Sequence, residues 1–124
     1  MVEPDDCIIV VDDEMLILIG LRMALTQLGY TVCGIAMTTA QAVDQVTKFL
    51  PKLVLLDFRL RDGTDGIETA RLIREVHTCH IVFITGSNEP ETRRRIEEIE
   101  PDGLLIKPIM PQDLKAVIES LAQS

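Results

Sequence analysis

The most constraining feature of this chain is a regular alternation of short apolar segments with longer amphipathic ones. The apolar segments are rich in β-branched residues and show little alternation of polar and apolar positions. A strand of this composition is buried on both faces, as in a parallel sheet that is covered by helices. The predicted strands are CIIVV at 7 to 11, TVCGIA at 31 to 36, KLVLL at 52 to 56, HIVFI at 80 to 84 and GLLI at 103 to 106.

The amphipathic segments predict five helices, near residues 14 to 28, 39 to 49, 66 to 76, 89 to 99 and 111 to 122. Their ends carry helix signals: Asp65 and Glu68 form a capping pair before the third helix, Gly29 follows the first, and Pro111 opens the last. We therefore expect one α/β domain over residues 1–124, built as a doubly wound five-stranded parallel sheet in the order 2-1-3-4-5 and flanked by five helices.

Length, charge and cysteine content exclude several classes of function. A chain of 124 residues suits one domain, and its formal charge of -8 argues against direct binding to nucleic acid. The sequence has neither a run of roughly 18 apolar residues nor a signal-peptide pattern, which predicts a cytoplasmic protein without a membrane partner. Because Cys7, Cys33 and Cys79 are far apart in sequence, we expect three reduced thiols.

Charged and polar side chains follow four of the five predicted strands. Asp12 and Asp13 follow the first strand, Asp57 the third, Thr85 the fourth and Lys107 the fifth. Ligands of an open parallel sheet bind beyond the carboxyl ends of its strands, where the strand order reverses. In the predicted order the first and third strands are neighbours at that point, so the three aspartates are expected in one crevice.

Three carboxylates in one crevice require positive charge, because two unit charges about 4 Å apart repel by roughly 4 kcal/mol at an effective dielectric constant of about 20. Lys107 supplies one charge. A Mg²⁺ ion prefers one or two carboxylates and bridges to phosphate. The pattern therefore predicts a Mg²⁺ site at Asp12 and Asp13 and a carboxylate nucleophile at Asp57, with the Lys107 ammonium and the Thr85 hydroxyl contacting phosphoryl oxygens.

Taken together, Asp12-Asp13, Asp57, Thr85 and Lys107-Pro108 resemble the receiver domain of two-component response regulators, which has a CheY-like, flavodoxin-like fold. The resemblance covers the whole chain. It implies that Asp57 accepts a phosphoryl group from a phosphohistidine on a sensor histidine kinase or histidine phosphotransfer protein, with Mg²⁺ as cofactor.

The resemblance implies further roles for the backbone near the site. The main-chain carbonyl of Arg59 would be another metal ligand, and the Gly86 amide another phosphate contact. The Lys107-Pro108 bond would be cis, which agrees with the low cost of a cis bond before proline. Arg59 and Ser87 occupy positions that tune the phosphoryl lifetime in this family.

Three departures from the family pattern concern switching rather than phosphorylation. Arg61 stands where a proline is usual, and Leu104 stands where an aromatic residue usually moves inward with Thr85. The sequence FITGSNE resembles the Phe-Ala-Thr-Gly motif of a subgroup of stand-alone receivers, although Ile84 and Asn88 differ from that motif. We therefore expect phosphorylation to reorder residues 86 to 95 instead of rotating an aromatic side chain.

The first helix has more apolar residues than one buried face requires. A core stripe at helical spacing is predicted for Ile17, Leu21, Ala24 and Leu28. The surplus residues, some of which must face outward, are Met15, Leu16, Leu18, Ile19 and Met23. By the resemblance, this helix docks the helices that bear the phosphohistidine. In the fourth helix, Arg93, Arg94 and Arg95 are interpreted as a solvated face.

The predicted function is an autophosphorylating and autodephosphorylating signalling switch that does not act as an enzyme on an external metabolite. One alternative is a small Mg²⁺-dependent phosphohydrolase with Asp57 as nucleophile. A second is a flavin or nucleotide carrier, against which the acidic residues after the first strand and the missing Gly-rich loop both argue.

Overall fold

The computed structural model describes residues 2 to 60, 65 to 86 and 89 to 121. All neighbouring strands pair in parallel, and the order across the sheet is β2-β1-β3-β4-β5, as predicted. The strands are β1 (Cys7–Val11), β2 (Thr31–Ala36), β3 (Leu53–Asp57), β4 (His80–Thr85) and β5 (Gly103–Ile106). Strands β1 and β3 are adjacent, so their carboxyl ends meet where the strand order reverses.

Five helices connect and cover these strands, as the periodicity predicts. They are α1 (Met15–Gln27), α2 (Thr39–Phe49), α3 (Gly66–Val76), α4 (Pro90–Glu98) and α5 (Pro111–Ser120). The Asp65 side chain accepts a hydrogen bond from the Glu68 amide and caps α3, while Gly29 takes a φ of 95° after α1. This left-handed backbone favours glycine.

Two strands extend one residue further than their apolar patterns indicate. Asp57 belongs to β3 and pairs with Ile84, and Thr85 belongs to β4 and pairs with Ile106. Because the ladder continues through these polar residues, the sheet itself fixes their backbone positions. Strand β3 also begins at Leu53 rather than Lys52.

Apolar side chains form one cluster on each face of the sheet. The predicted core stripe of α1 is wrong in phase. Leu18, Leu21 and Leu25 are the buried residues of α1, whereas Ile17, Ala24 and Leu28 are only partly buried against the same cluster. Of the five apolar residues of α1 predicted to be surplus, Leu18 is buried and the other four are exposed: Met15, Leu16, Ile19 and Met23.

The expectation of three reduced cysteines is wrong for two of them. Cys7 and Cys33 form a disulfide, with their Cα atoms 5.5 Å apart. The two residues lie on the paired strands β1 and β2, so the sheet brings them together although 26 positions separate them in sequence. Cys79 is a free, partly buried thiol. Across the described residues, no helix combines the length and the apolar character needed to span a membrane.

Candidate phosphoacceptor site

A cavity of about 340 Å³ opens at the carboxyl ends of β1, β3, β4 and β5. Its lining includes six residues that the sequence singles out: Asp13, Asp57, Arg59, Thr85, Gly86 and Lys107. Asp12, the remaining predicted site residue, is fully buried and lies against Lys107. The fold therefore brings together side chains from both ends of the chain.

Asp12 is fixed where β1 ends and α1 begins. Its amide donates to the Ala36 carbonyl at 3.0 Å, and its Oδ1 accepts a hydrogen bond from the Glu14 amide at 2.9 Å. Asp is a favoured N-cap residue, but the N-cap of α1 is Glu14 and not Asp13. Burial raises the pKa of Asp12, and this is opposed by the Glu14 amide and the Lys107 ammonium.

Asp57 ends the central strand β3 and is 5 % exposed. Burial is the main cause that raises the pKa of Asp57 to about 7, and the nearby Asp12 carboxylate adds to it. The Lys107 ammonium acts in the opposite direction. At this pKa, a bound cation would markedly increase the ionised fraction of Asp57, because it favours the charged form of a carboxyl group. The ionised form is the nucleophile.

Lys107, just after β5, contacts residues at the ends of the other three strands, β1, β3 and β4. Its Nζ lies 3.2 Å from Oδ2 of Asp12 and 3.6 Å from Oδ1 of Asp57. Its amide donates to the Thr85 carbonyl at 2.9 Å, and the Lys107-Pro108 bond is cis, as the resemblance implied. Burial lowers the pKa of Lys107, but the Asp57 and Asp12 carboxylates outweigh this effect and leave the pKa raised.

The donor set fits a hard divalent cation. Asp12, Asp13 and Asp57 each offer a carboxylate oxygen, and these oxygens lie within 4.8 Å of one another. Oδ2 of Asp12 is buried and, despite its ion pair with Lys107, accepts no hydrogen bond of suitable geometry among the described residues. A buried carboxylate oxygen that lacks such a bond is a ready ligand, and oxygen ligands of this kind suit Mg²⁺.

Several sequence predictions near the site fall outside the described residues: those for Arg61, Ser87 and Asn88. Thr85, by contrast, is described and is 3 % exposed at the cavity. Leu104 lies on β5, paired with Phe83, and packs against one of the two cores.

One contact near the site contradicts the sequence interpretation of α4. Arg95 is not simply a solvated arginine, because its guanidinium pairs with Asp65 at the start of α3 and lies over the Phe58 ring. Arg94 does behave as predicted and pairs with Glu91 and Glu98 on its own helix. No sequence signal reveals the Arg95 contact, since its partner is 30 positions away.

Comparisons with known proteins agree with this geometry. The family model described as "Response regulator receiver domain" matches residues 8–119. The phyllosphere-induced regulator PhyR of Methylorubrum extorquens is 33% identical over 90% of this chain and 41% of its own length. The transcriptional regulatory protein ResD of Bacillus subtilis is also 33% identical, over 92% of this chain and 47% of its own length.

Among solved structures, the REC domain of the Erythrobacter litoralis PhyR response regulator is 31% identical, with a TM-score of 0.83 over 95% of this chain and 91% of that one. The chain spans less than half the length of the two curated relatives. It nevertheless matches the receiver model over nearly all its residues and has the predicted site at the expected strand ends. This protein therefore belongs to the response regulator receiver domain family of two-component signalling.

Proposed function

We propose that Asp57 accepts a phosphoryl group from a phosphohistidine in a Mg²⁺-dependent reaction, and that the phosphorylated domain then changes its binding to a partner. The observation that carries the proposal is the convergence on Asp57 of two further carboxylates and the Lys107 ammonium, at an open cavity. A carboxylate nucleophile surrounded by metal ligands and a cation is suited to phosphoryl transfer.

In the proposed step, one carboxylate oxygen of ionised Asp57 attacks phosphorus. An O–P bond forms, the N–P bond of the donor breaks, and the imidazole leaves with the electron pair of that bond and takes up a proton. The product is an acyl phosphate on Asp57. The Lys107 ammonium already lies 3.6 Å from the Asp57 carboxylate. In the product it would pair with the negatively charged phosphoryl oxygens instead.

Other groups at the cavity would orient the transferred group. The Thr85 hydroxyl and the Gly86 amide would donate hydrogen bonds to it from the end of β4. Bound Mg²⁺ would neutralise charge on the phosphoryl oxygens. Its protein ligands would be the carboxylates of Asp12, Asp13 and Asp57 and the main-chain carbonyl of Arg59.

The proposed domain works as a switch and not as an enzyme for an external metabolite. Its site catalyses the gain of the phosphoryl group and later its hydrolysis, both on the same carboxylate. Asp57 lines a cavity at the carboxyl edge of the sheet, where a protein donor would reach the nucleophile.

The donor would dock on α1 beside the site. Met15, Leu16, Ile19 and Met23 are exposed there, and Leu16 alone is 84% exposed. An apolar groove of about 340 Å³ runs between α1 and the start of α5 and reaches Lys107. Exposed apolar side chains next to a reactive group are typical of a partner surface, and receiver domains exchange phosphoryl groups with helical histidine kinases or phosphotransfer proteins.

Intact-mass measurement tests the proposal. The protein is incubated with Mg²⁺ and a small phosphodonor such as acetyl phosphate, beside Asp57→Asn. We expect the unaltered chain to gain the mass of one phosphoryl group and the variant to gain none. An unchanged mass in the unaltered chain, or an equal gain in Asp57→Asn, would contradict the proposal. Repeated turnover of a generic phosphomonoester would favour a phosphohydrolase instead.

A further inference from the structure

Helix α4 is attached to α3 at two places that differ in character. At its C-terminal end, the Arg74 guanidinium donates hydrogen bonds to the carbonyls of Ile99 and Glu100, at 2.5 and 3.1 Å. Nearer the phosphoacceptor site, Arg95 donates to the Asp65 carboxylate. The Arg95 and Asp65 side chains are 42% and 33% exposed, so solvent partly screens this ion pair.

Asp65 itself is firmly connected to the backbone of Asp57. Gly66, the next residue, donates its amide to the Phe58 carbonyl at 2.5 Å. A Cβ atom on Gly66 would lie 2.9 Å from the Asp57 carbonyl oxygen and 2.9 Å from the Phe58 Cα. The backbone at the start of α3 is therefore packed directly against the backbone of Asp57 and Phe58.

Arg95 also touches the residue that follows the phosphoacceptor. Its Cζ atom lies 5.6 Å from the centroid of the Phe58 ring, and the Cζ atom of Arg59 lies 5.6 Å from the same centroid. Phe58 is 2% exposed, and its amide donates to the Ile84 carbonyl on β4. Two guanidinium groups thus share one aromatic ring, one residue away from Asp57.

A phosphoryl group on Asp57 carries a charge of roughly -1.5 to -2 in place of the single charge of the ionised carboxylate. It would therefore add up to about one negative charge one residue away from Phe58, over whose ring both guanidinium groups lie. That charge competes with Asp65 for Arg95, because both anions attract the same cation. No aromatic side chain at Leu104 is required for this effect. It acts on α4 directly, within the segment 86 to 95 for which the sequence predicts reordering.

We propose that Arg95 is a positioning residue: its ion pair with Asp65 holds α4 in the unphosphorylated arrangement, and phosphorylation of Asp57 weakens that pair and releases α4. This inference rests on the proposed function of Asp57. In the absence of the pair, the arrangement that favours phosphorylation is more populated, since a two-state equilibrium shifts when a contact specific to one state is lost.

The test uses the full chain with four variants. Asp65→Asn removes the charge but keeps a side-chain oxygen that can cap α3. Arg95→Gln removes the other charge, and the double variant completes a mutant cycle. Arg94→Gln is the matched control, because Arg94 pairs only with Glu91 and Glu98 among the ion pairs of the described residues.

Two quantities are measured: the rate at which acetyl phosphate with Mg²⁺ phosphorylates Asp57, followed by intact mass, and the hydrogen exchange of α4 amides without phosphodonor. We expect Asp65→Asn and Arg95→Gln to be phosphorylated about two- to fivefold faster, the factor that a partly exposed ion pair supports. The double variant should be no faster than either single one. The α4 amides should exchange faster in these three variants and at the original rate in Arg94→Gln.

Equal phosphorylation rates in the unaltered chain and Arg95→Gln, or equal α4 exchange in Arg95→Gln and Arg94→Gln, would overturn the inference while leaving the proposed function intact. A failure of the proposed function is distinct, because then the unaltered chain gains no phosphoryl mass at all. That result would also overturn the proposed role of Arg95 in phosphorylation.

Discussion

The Lys107 ammonium lies 3.2 Å from Oδ2 of Asp12, a carboxylate oxygen that is buried and accepts no hydrogen bond of suitable geometry among the described residues. The same ammonium lies 3.6 Å from Asp57. One cation therefore compensates two buried carboxylates, and the site keeps a surplus of negative charge. That surplus is what a divalent ion and the phosphoryl chemistry proposed for Asp57 both require.

Replacing Lys107 by alanine should slow phosphorylation of Asp57 by acetyl phosphate about 10- to 100-fold, because a charge-assisted contact to the transferring group contributes roughly 1.5–3 kcal/mol. The rate is measured by intact mass at a fixed Mg²⁺ concentration. Lys115→Ala is the control, since Lys115 is exposed and pairs with Glu119 on α5. A Lys107→Ala variant that reacts as fast as Lys115→Ala would exclude a phosphoryl contact for Lys107.

Ionisation of Asp57 should make the metal-free protein less stable as pH rises. The pKa of Asp57 is about 7 in the fold and 3.8 in its ordinary state, so the folded chain binds this proton more tightly. The stability from that proton is fully present below about pH 4 and is lost as the pH rises through 7. Asp57→Asn has no carboxyl group to ionise, so it should not lose this stability as the pH rises. At pH 8 its free energy of unfolding should exceed that of the unaltered chain by on the order of 1–4 kcal/mol.

Urea unfolding in the presence of a chelator, at pH 5 and pH 8, measures this difference for both chains. Adding Mg²⁺ at pH 8 should restore stability to the unaltered chain more than to Asp57→Asn, because the ion binds the ionised carboxylates. A difference between the chains that does not grow with pH would contradict the raised pKa. Equal stabilisation of both chains by Mg²⁺ would argue against Asp57 as a ligand.

The predictable part of this site is the part that local sequence encodes. Asp12, Asp57 and Lys107 each follow an apolar strand, and strand ends are readable from composition. The interactions that were missed are long-range. Arg95 reaches Asp65 across 30 positions, and Cys7 meets Cys33 across 26, so neither pair leaves a local pattern.

The phase of α1 could not be read reliably from its sequence, because most positions of that helix are apolar and they occur on more than one face. Leu18 and Leu25 occupy the core in place of Ile17 and Leu28. When both faces of a helix are apolar, hydrophobic periodicity cannot distinguish the buried face, and packing against the sheet decides. The extension of β3 to Asp57 likewise follows from pairing with β4 and not from local propensity.

The exposed apolar side chains of α1 lead to a prediction about the donor. Leu16→Glu should reduce transfer from a phosphorylated histidine phosphotransfer protein at least tenfold, because it places a charge on the proposed contact surface. Phosphorylation by acetyl phosphate should not change, since Leu16 is 84% exposed and supports no core contact. Leu50→Glu, at an exposed leucine after α2, serves for comparison. Equal losses with both donors would indicate a damaged site, and no loss with the protein donor would place docking elsewhere.

Replacement by alanine should lower the stability of the fold at Gly66 and raise it at Gly20. A Cβ at Gly66 would lie 2.8 Å from the Phe83 ring and 2.9 Å from the Asp57 carbonyl oxygen, whereas a Cβ at Gly20 has no neighbouring atom within 4 Å. Gly66→Ala must push either α3 or the phosphoacceptor strand, and overpacking of this kind costs about 1–3 kcal/mol. Gly20→Ala lies inside α1 and should stabilise the fold by about 0.5–1 kcal/mol, because alanine restricts the unfolded chain and favours a helix.

Urea unfolding gives both free energies, and acetyl phosphate gives the rate at Asp57. Since Gly66 packs on the backbone of Asp57 itself, Gly66→Ala should also slow phosphorylation under conditions where the variant remains folded. Gly20→Ala should leave that rate unchanged. If Gly66→Ala were as stable and as reactive as Gly20→Ala, the close packing between the start of α3 and Asp57 would be wrong, and with it the rigid support on which Asp65 depends.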